Sequence, residues 1–174
     1  MSDATVEFLK KVAAFSGVSE EGLALLSKIC RPVEMKAGDV IIKEGDEGDC
    51  VYIIEQGQVE ITMSITLGPR LWEEEASAMD KVLVKLGSGA MFGEMAFIFK
   101  SDKRSATIVA LSEGKLLSIT SGDFQSFSEE DLKSAHRILL NIAKIIAERL
   151  RKTNQDVKKL TTALSIALRR PRRT

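Results

Sequence analysis

The chain has 174 residues, and its 25 lysines and arginines balance 25 acids, so its formal net charge is zero. That length suits one domain plus an appendage, with a core that needs no disulfide staples, and the balance gives no global electrostatic case for a nucleic-acid binder. No segment has the ~18 uninterrupted apolar residues of a membrane span, and the charged N-terminus lacks a signal-peptide pattern, so a cytoplasmic protein is expected.

The first stretch, "SDATVEFLKKV", offers Ser2 and Asp3 as caps and repeats Val6, Leu9 and Val12 at helical spacing, with Phe8 beside them. A second helix follows in "SEEGLALLSKI". Ser19 is its N-cap, acids fill the first turn, and Leu23, Leu26 and Ile29 share a face. Pro32 marks its end.

From Val33 the period changes. Short β-branched runs are cut by Gly38, Gly45, Gly48 and Gly57, where strands must turn. Val59, Ile61 and Met63 alternate with Glu60 and Thr62, the period of a half-buried strand. Several such strands predict an antiparallel barrel or sandwich. "LGPRLWEEEASAMDK" then interrupts the strands and reads as a long solvated loop around Trp72, the sole tryptophan. Strand and turn return in "KVLVKLGSGAMFGEM". "RSATIVALSEGKLLSIT" predicts two strands around "SEGK", and "SGDFQSF" starts a helix with Ser121 or Asp123 near its cap.

A long helix ends the chain. Leu139, Ala143, Ile146, Leu150, Thr153, Val157, Leu160, Leu164 and Ala167 follow at alternating spacings of four and three, an unbroken heptad seam whose one polar member is Thr153. Such a seam predicts a left-handed coiled coil and a parallel homodimer. Ile138, Ile142 and Ile145 form a second apolar row, so the early helix has one face for its own domain and one for a partner. The expected organisation is a domain over residues 1–133, a dimerisation helix over 134–168, and a basic tail over 169–174.

Chemistry-bearing groups are few. Cys30 and Cys50 fit no zinc or CxxC spacing and read as buried free thiols. The sole histidine, His136, has no matched ligand spacing and reads as a helix-surface residue. No Ser-His-Asp set or metal cluster is present, so neither enzyme activity, nor a metal, nor a resident cofactor is expected. One stretch stands out. "FGEMAFIFKSDKRSAT" sets a lone acid, Glu94, behind a glycine, and ten residues on an arginine, Arg104, ahead of small residues.

Together with the preceding "KAGDVIIKEGDEGDCVYIIEQGQVEI", this stretch resembles the cyclic nucleotide-binding domain family. That family includes bacterial catabolite activators, protein kinase A regulatory subunits and cyclic nucleotide-gated channels. The resemblance runs from about Val6 to Val157. It implies an eight-stranded, jelly-roll-like β-barrel with flanking helices plus the long C-terminal helix. It also implies roles: Glu94 accepts from the ribose 2′-hydroxyl, and Arg104 pairs with the cyclic phosphate. The Ser105 hydroxyl and the backbone around Gly93, Met95, Ala96 and Ala106 take the remaining oxygens. On the long helix Thr153 and Asn154 match a base-contacting pair, with Asn154 in place of the usual serine.

The residue chemistry agrees. A guanidinium fork suits a phosphodiester and never deprotonates. A short helix starting near Met95 would aim N–H groups at an anion, and Gly93 permits close backbone approach. An acid beside an anion makes sense if it reads hydroxyls, as acids read ribose in dinucleotide folds. The expected ligand is cAMP, with cGMP the alternative because a hydroxyl after the arginine can serve a guanine amino group. A ligand-independent scaffold is the rival reading. After Ala163 only "LSIALRRPRRT" remains, too short for a helix-turn-helix reader, so DNA binding is not expected. The downstream partner is unspecified by the residues.

Overall fold

The structure, a computed structural model, describes residues 3–67, 77–99 and 103–169. Helix α1 (Asp3–Leu9), a 3-10 turn (Ala13–Phe15) and helix α2 (Glu20–Ile29) form one layer. Ser19 caps α2 by accepting from the Gly22 amide at 3.1 Å, as its position in the sequence predicts.

Eight strands follow: β1 (Arg31–Met35), β2 (Val40–Ile42), β3 (Cys50–Gln56), β4 (Val59–Leu67), β5 (Ser77–Leu86), β6 (Met91–Phe92), β7 (Thr107–Ala110) and β8 (Gly114–Thr120). They pair antiparallel in two four-stranded sheets, ordered β1-β8-β3-β6 and β2-β7-β4-β5. The jelly-roll expectation holds, but the barrel does not close: each sheet keeps two edges, so the architecture is a sandwich.

Two cores result. Met35, Ile42, Ile54, Val59, Phe92, Ile108 and Leu116 fill the space between the sheets. Val51, Ile53, Leu117 and Ile119 face the other way, onto Leu9, Leu26, Phe124, Phe127, Ile138 and Ile142 of the helices. Strand β3 is therefore covered on both faces, which explains its unbroken "VYII" run. Alternation along that strand puts Cys50 on the same side as Tyr52 and Ile54, toward the sandwich interior.

The sequence reading needs two corrections here. Ser77–Lys81, read as part of a loop, pair with β4 in register from Leu67↔Ser77 to Met63↔Lys81. Their alternation is blurred in sequence by Asp80 and Lys81, so the pattern did not mark them as strand. Trp72 itself and the basic tail beyond residue 169 lie outside the described residues. Helix α4 (Ser121–Glu130) is capped by Thr120, whose Oγ1 accepts from the Asp123 amide at 3.0 Å, rather than by Ser121 or Asp123.

Between β6 and β7 lies the short helix α3 (Glu94–Phe99), and the chain ends in helix α5 (Leu132–Arg169). Helix α5 has 38 residues, about 57 Å at 1.5 Å per residue. Asp131 starts it, accepting from the Ser134 amide at 3.0 Å. The Ser134 hydroxyl, and then that amide bond, hold the Asp131 carboxyl below its ordinary range. Ala135, Ile138, Asn141 and Ile142 are buried against the domain. Asn141 ties α5 down by donating to the carbonyls of Ala14 at 3.1 Å and Ser16 at 2.8 Å. From Leu150 onward every described side chain is exposed. The helix thus divides into an anchored half and a projecting half.

Candidate functional site

A cleft of about 350 Å³ opens where α3, the β6–α3 junction, the β4–β5 ribbon and α5 meet. It gathers Gly93, Glu94, Met95, Ala96, Arg104, Ser105, Ala106 and Thr153 from positions up to sixty residues apart in the chain. Its other walls are mostly apolar, with Ile61, Met63 and Leu83 from the ribbon and Ile146 and Leu150 from α5, and Lys103 and Arg149 add two cations. Asn154 is not among them. It lies on a neighbouring flank with Ala147 and Arg151. Consecutive residues on a helix point about 100° apart, so one chain cannot turn both Thr153 and Asn154 over the same wall.

Arg104 is held by its backbone first. Its amide donates to the Asp46 carbonyl at 2.8 Å, and its own carbonyl accepts from the Gly45 amide at 2.9 Å. The side chain is only 8% exposed. Nη1 donates to the carbonyls of Cys50 at 3.0 Å and Gly93 at 3.3 Å, and Nη2 donates to Cys50 Sγ at 3.3 Å. A guanidinium has five N–H donors. Among the described residues nothing takes Nε–H or the second Nη2–H, which together form the side-on fork that suits two oxygens of one phosphate.

Two glycines make this placement possible. Gly93 has φ +81°, a left-handed conformation that L side chains resist. Gly48 serves by its lack of bulk: a Cβ there would sit 2.1 Å from Arg104 Nε and 2.4 Å from Cζ. The guanidinium therefore lies directly against the Gly48 backbone.

Glu94 opens α3 and is 8% exposed. It does not pair with Arg104. Its Oε1 accepts from Arg149 Nη1 of α5 at 2.7 Å, and Arg149 Nη2 also donates to the Met91 carbonyl. Arg149 was not singled out in the sequence, although it stands one helical turn before Thr153, where a side chain shares its face. Thr153 donates its hydroxyl proton to the Arg149 carbonyl at 3.0 Å, leaving its oxygen lone pairs toward the cleft. Ser105 lies at the mouth, its hydroxyl 3.6 Å from Met95 Sδ. Cys50, read as a buried thiol, is partly exposed, whereas Cys30 is buried. Burial pushes the Cys30 thiol up to about 12.

The arrangement has no nucleophile–base pair. Among the described residues there is also no cluster of three or more metal-ligating side chains. It offers the Arg104 fork, two further cations in Lys103 and Arg149, the buried Glu94 carboxylate, the Ser105 and Thr153 hydroxyls and several apolar side chains, a set that can bind a small anion bearing hydroxyls and a flat ring.

A family model for the cyclic nucleotide-binding domain matches residues 32–131. The chain is 27% identical over 151 residues to a CRP-like cAMP-activated global transcriptional regulator of Mycobacterium tuberculosis, covering 87% of this chain and 61% of that protein. It is 36% identical over 110 residues to a cGMP-dependent protein kinase, isozyme 1, of Drosophila melanogaster, covering 63% of this chain and 13% of the kinase. It thus spans only part of the length of either relative. In three dimensions it is similar to a cyclic nucleotide-binding domain from Methylobacillus flagellatus, with a TM-score of 0.73 at 21% identity, covering 89% of this chain and 81% of the other. With the family model spanning more than half of its residues, the chain belongs to the cyclic nucleotide-binding domain family.

Proposed function

We propose that this chain is a regulatory module that binds a cyclic purine nucleotide, cAMP in preference to cGMP, and acts as a sensor rather than a catalyst. The observation that carries the reading is the side-on fork of Arg104, open in the same cleft as Glu94. The fork takes the cyclic phosphate, helped by Ser105 and the backbone from Gly93 to Ala96 and at Ala106. Glu94 accepts from the ribose 2′-hydroxyl. The base lies between the ribbon and α5, against Met63, Leu83 and Leu150.

Thr153 supports the preference for adenine. Its proton is committed to the Arg149 carbonyl, so its oxygen offers lone pairs. With the 6-position of the base turned toward Thr153, the adenine amino group can donate to them and the guanine carbonyl cannot.

The same groups suggest how binding is passed on. Glu94 is held by Arg149, and Arg149 belongs to the end of the anchored half of α5. A ribose hydroxyl arriving at Glu94 shares or displaces that ion pair, while the base meets Leu150 and Thr153. Ligand binding then favours one position of the projecting half over another, by as much as its affinities for the two differ. The seam residues Leu150, Val157, Leu160 and Leu164 are 55–64% exposed, which supports pairing with a second copy along α5. The projecting half would present the result to a downstream protein.

A thermal-shift titration tests binding directly. At about one hundred times its dissociation constant, a ligand stabilises the native state by roughly 2.7 kcal/mol, a melting shift of roughly 5–10 °C for this size. Millimolar cAMP should produce it, with cGMP weaker. No shift with either nucleotide would favour the scaffold reading.

A further inference from the structure

We infer that Cys50 is a positioning residue for the phosphate site: its carbonyl and its thiol together grip one edge of Arg104 and so turn the other edge into the cleft. The inference rests on the nucleotide reading above and adds a residue that touches no ligand atom.

The geometry is specific. Cys50 O accepts from Nη1 at 3.0 Å and Cys50 Sγ accepts from Nη2 at 3.3 Å. These two acceptors occupy the end-on edge of the guanidinium as an anion would. The carbonyl cannot move, because Cys50 is the first residue of β3 and pairs with Thr120 of β8. The Cys50 and Gly93 carbonyls both hold Nη1. Among the described residues the thiol is the acceptor on Nη2, and it anchors the second nitrogen and so the plane. Gly48 closes off one side of that plane. With the end-on edge occupied, Nε–H and the outer Nη2–H remain for the phosphate. Preorganisation of this kind raises affinity by lowering the ordering cost of binding.

The thiol also makes the site chemically addressable. Cys50 is partly exposed, whereas Cys30, the other cysteine, is buried in the core. A group attached to Cys50 Sγ would have to lie where Arg104 Nη2 now sits.

The test pairs nucleotide affinity with a direct view of Arg104, using the full chain. Cys50→Val removes the sulfur acceptor at similar size, and Cys50→Ser keeps an acceptor. In titration calorimetry Cys50→Val should bind cAMP about five- to thirtyfold more weakly than the unmodified protein, as expected for one lost hydrogen bond to a charged group. Cys50→Ser should recover most of that loss. In the nucleotide-free protein, the Arg104 Nε–H resonance, assigned by its absence in Arg104→Lys, should shift or broaden in Cys50→Val and persist in Cys50→Ser. Unchanged affinity and an unchanged resonance in Cys50→Val would overturn the inference alone. Failure of the unmodified protein to bind any cyclic nucleotide would overturn the reading beneath it as well. Should Cys50→Val not fold, thiomethylation of the folded protein with methyl methanethiosulfonate serves instead. It should weaken cAMP binding by a similar factor and leave Cys50→Ser unaffected; equal affinity before and after labelling would overturn the inference.

Discussion

Arg104 and Glu94 do different work, and their partners show it. A buried guanidinium normally seeks a carboxylate, yet Arg104 takes two carbonyls and a thiol and leaves Glu94 to Arg149. A residue without a side chain, Gly48, lies against the Arg104 guanidinium. Gly48→Ala would place a Cβ 2.1 Å from Nε, so the guanidinium must swing away from the cleft. We expect a loss of cAMP affinity of about tenfold or more, as a pairing that depends on two aligned N–H groups is broken. Calorimetric titration of the variant, with circular dichroism to check the fold, measures it. The two residues proposed to read the ligand were legible in the sequence because each is a polar residue isolated in an apolar or small-residue run. Gly48 and Cys50 were not. A glycine needed for clearance looks like one needed for a turn, and a thiol contact made fifty-four residues away in sequence leaves no local pattern.

Helix α5 carries two apolar rows on one element, and both were countable from the chain. Ile138 and Ile142 are buried on the domain. The seam through Leu150, Val157, Leu160 and Leu164 remains on the outside. Asn141 secures the anchored half, a buried amide with two bonds to Ala14 and Ser16. Breaking the seam should therefore separate pairing from folding. Leu160→Asp alters a residue that is 64% exposed, and exposed substitutions of this kind usually change stability by no more than about 0.5 kcal/mol. Sedimentation velocity should show a shift from dimer to monomer, with the melting temperature measured in the dilute monomer range unchanged. A monomeric parent protein, or a variant that stays dimeric, would refute the seam as the pairing face. What the count did not reveal is Arg149, because a single cation on a helix rich in cations has no distinguishing context until its partner, Glu94, is seen across the cleft.

At the scale of the molecule, the antiparallel strands, the flanking helices and the long C-terminal helix were readable from alternation, glycine spacing and heptads. Non-closure of the barrel was not, since whether the edge strands meet depends on twist and register rather than on composition. The two-layer core also sets an alkaline limit on stability. The Cys30 thiol stands near 9.0 when unperturbed and about 12 in the fold. Burial, and then a hydrogen bond with Cys50, likewise lifts Tyr52 to about 12. Both groups are neutral when protonated and their folded values are raised. Their contribution is therefore complete below the unfolded values and is lost as pH rises toward 12. Buried Cys30 steepens the fall of unfolding free energy by up to about 1.4 kcal/mol per pH unit in that window, and the less buried Tyr52 adds less because solvent screens it. Denaturant unfolding between pH 8 and pH 11 should show the decline, and Cys30→Val should flatten it; an unchanged slope would contradict the assignment. The most direct test of the account as a whole is a calorimetric titration of cAMP into the unmodified chain and into Arg104→Ala. Removing the guanidinium strands a buried phosphate charge, a loss of about 2–5 kcal/mol, or roughly thirty- to several-thousand-fold in dissociation constant. Saturable binding to the unmodified chain that collapses in Arg104→Ala is the predicted result. Equal affinities in the two proteins, or no binding by either, would contradict it.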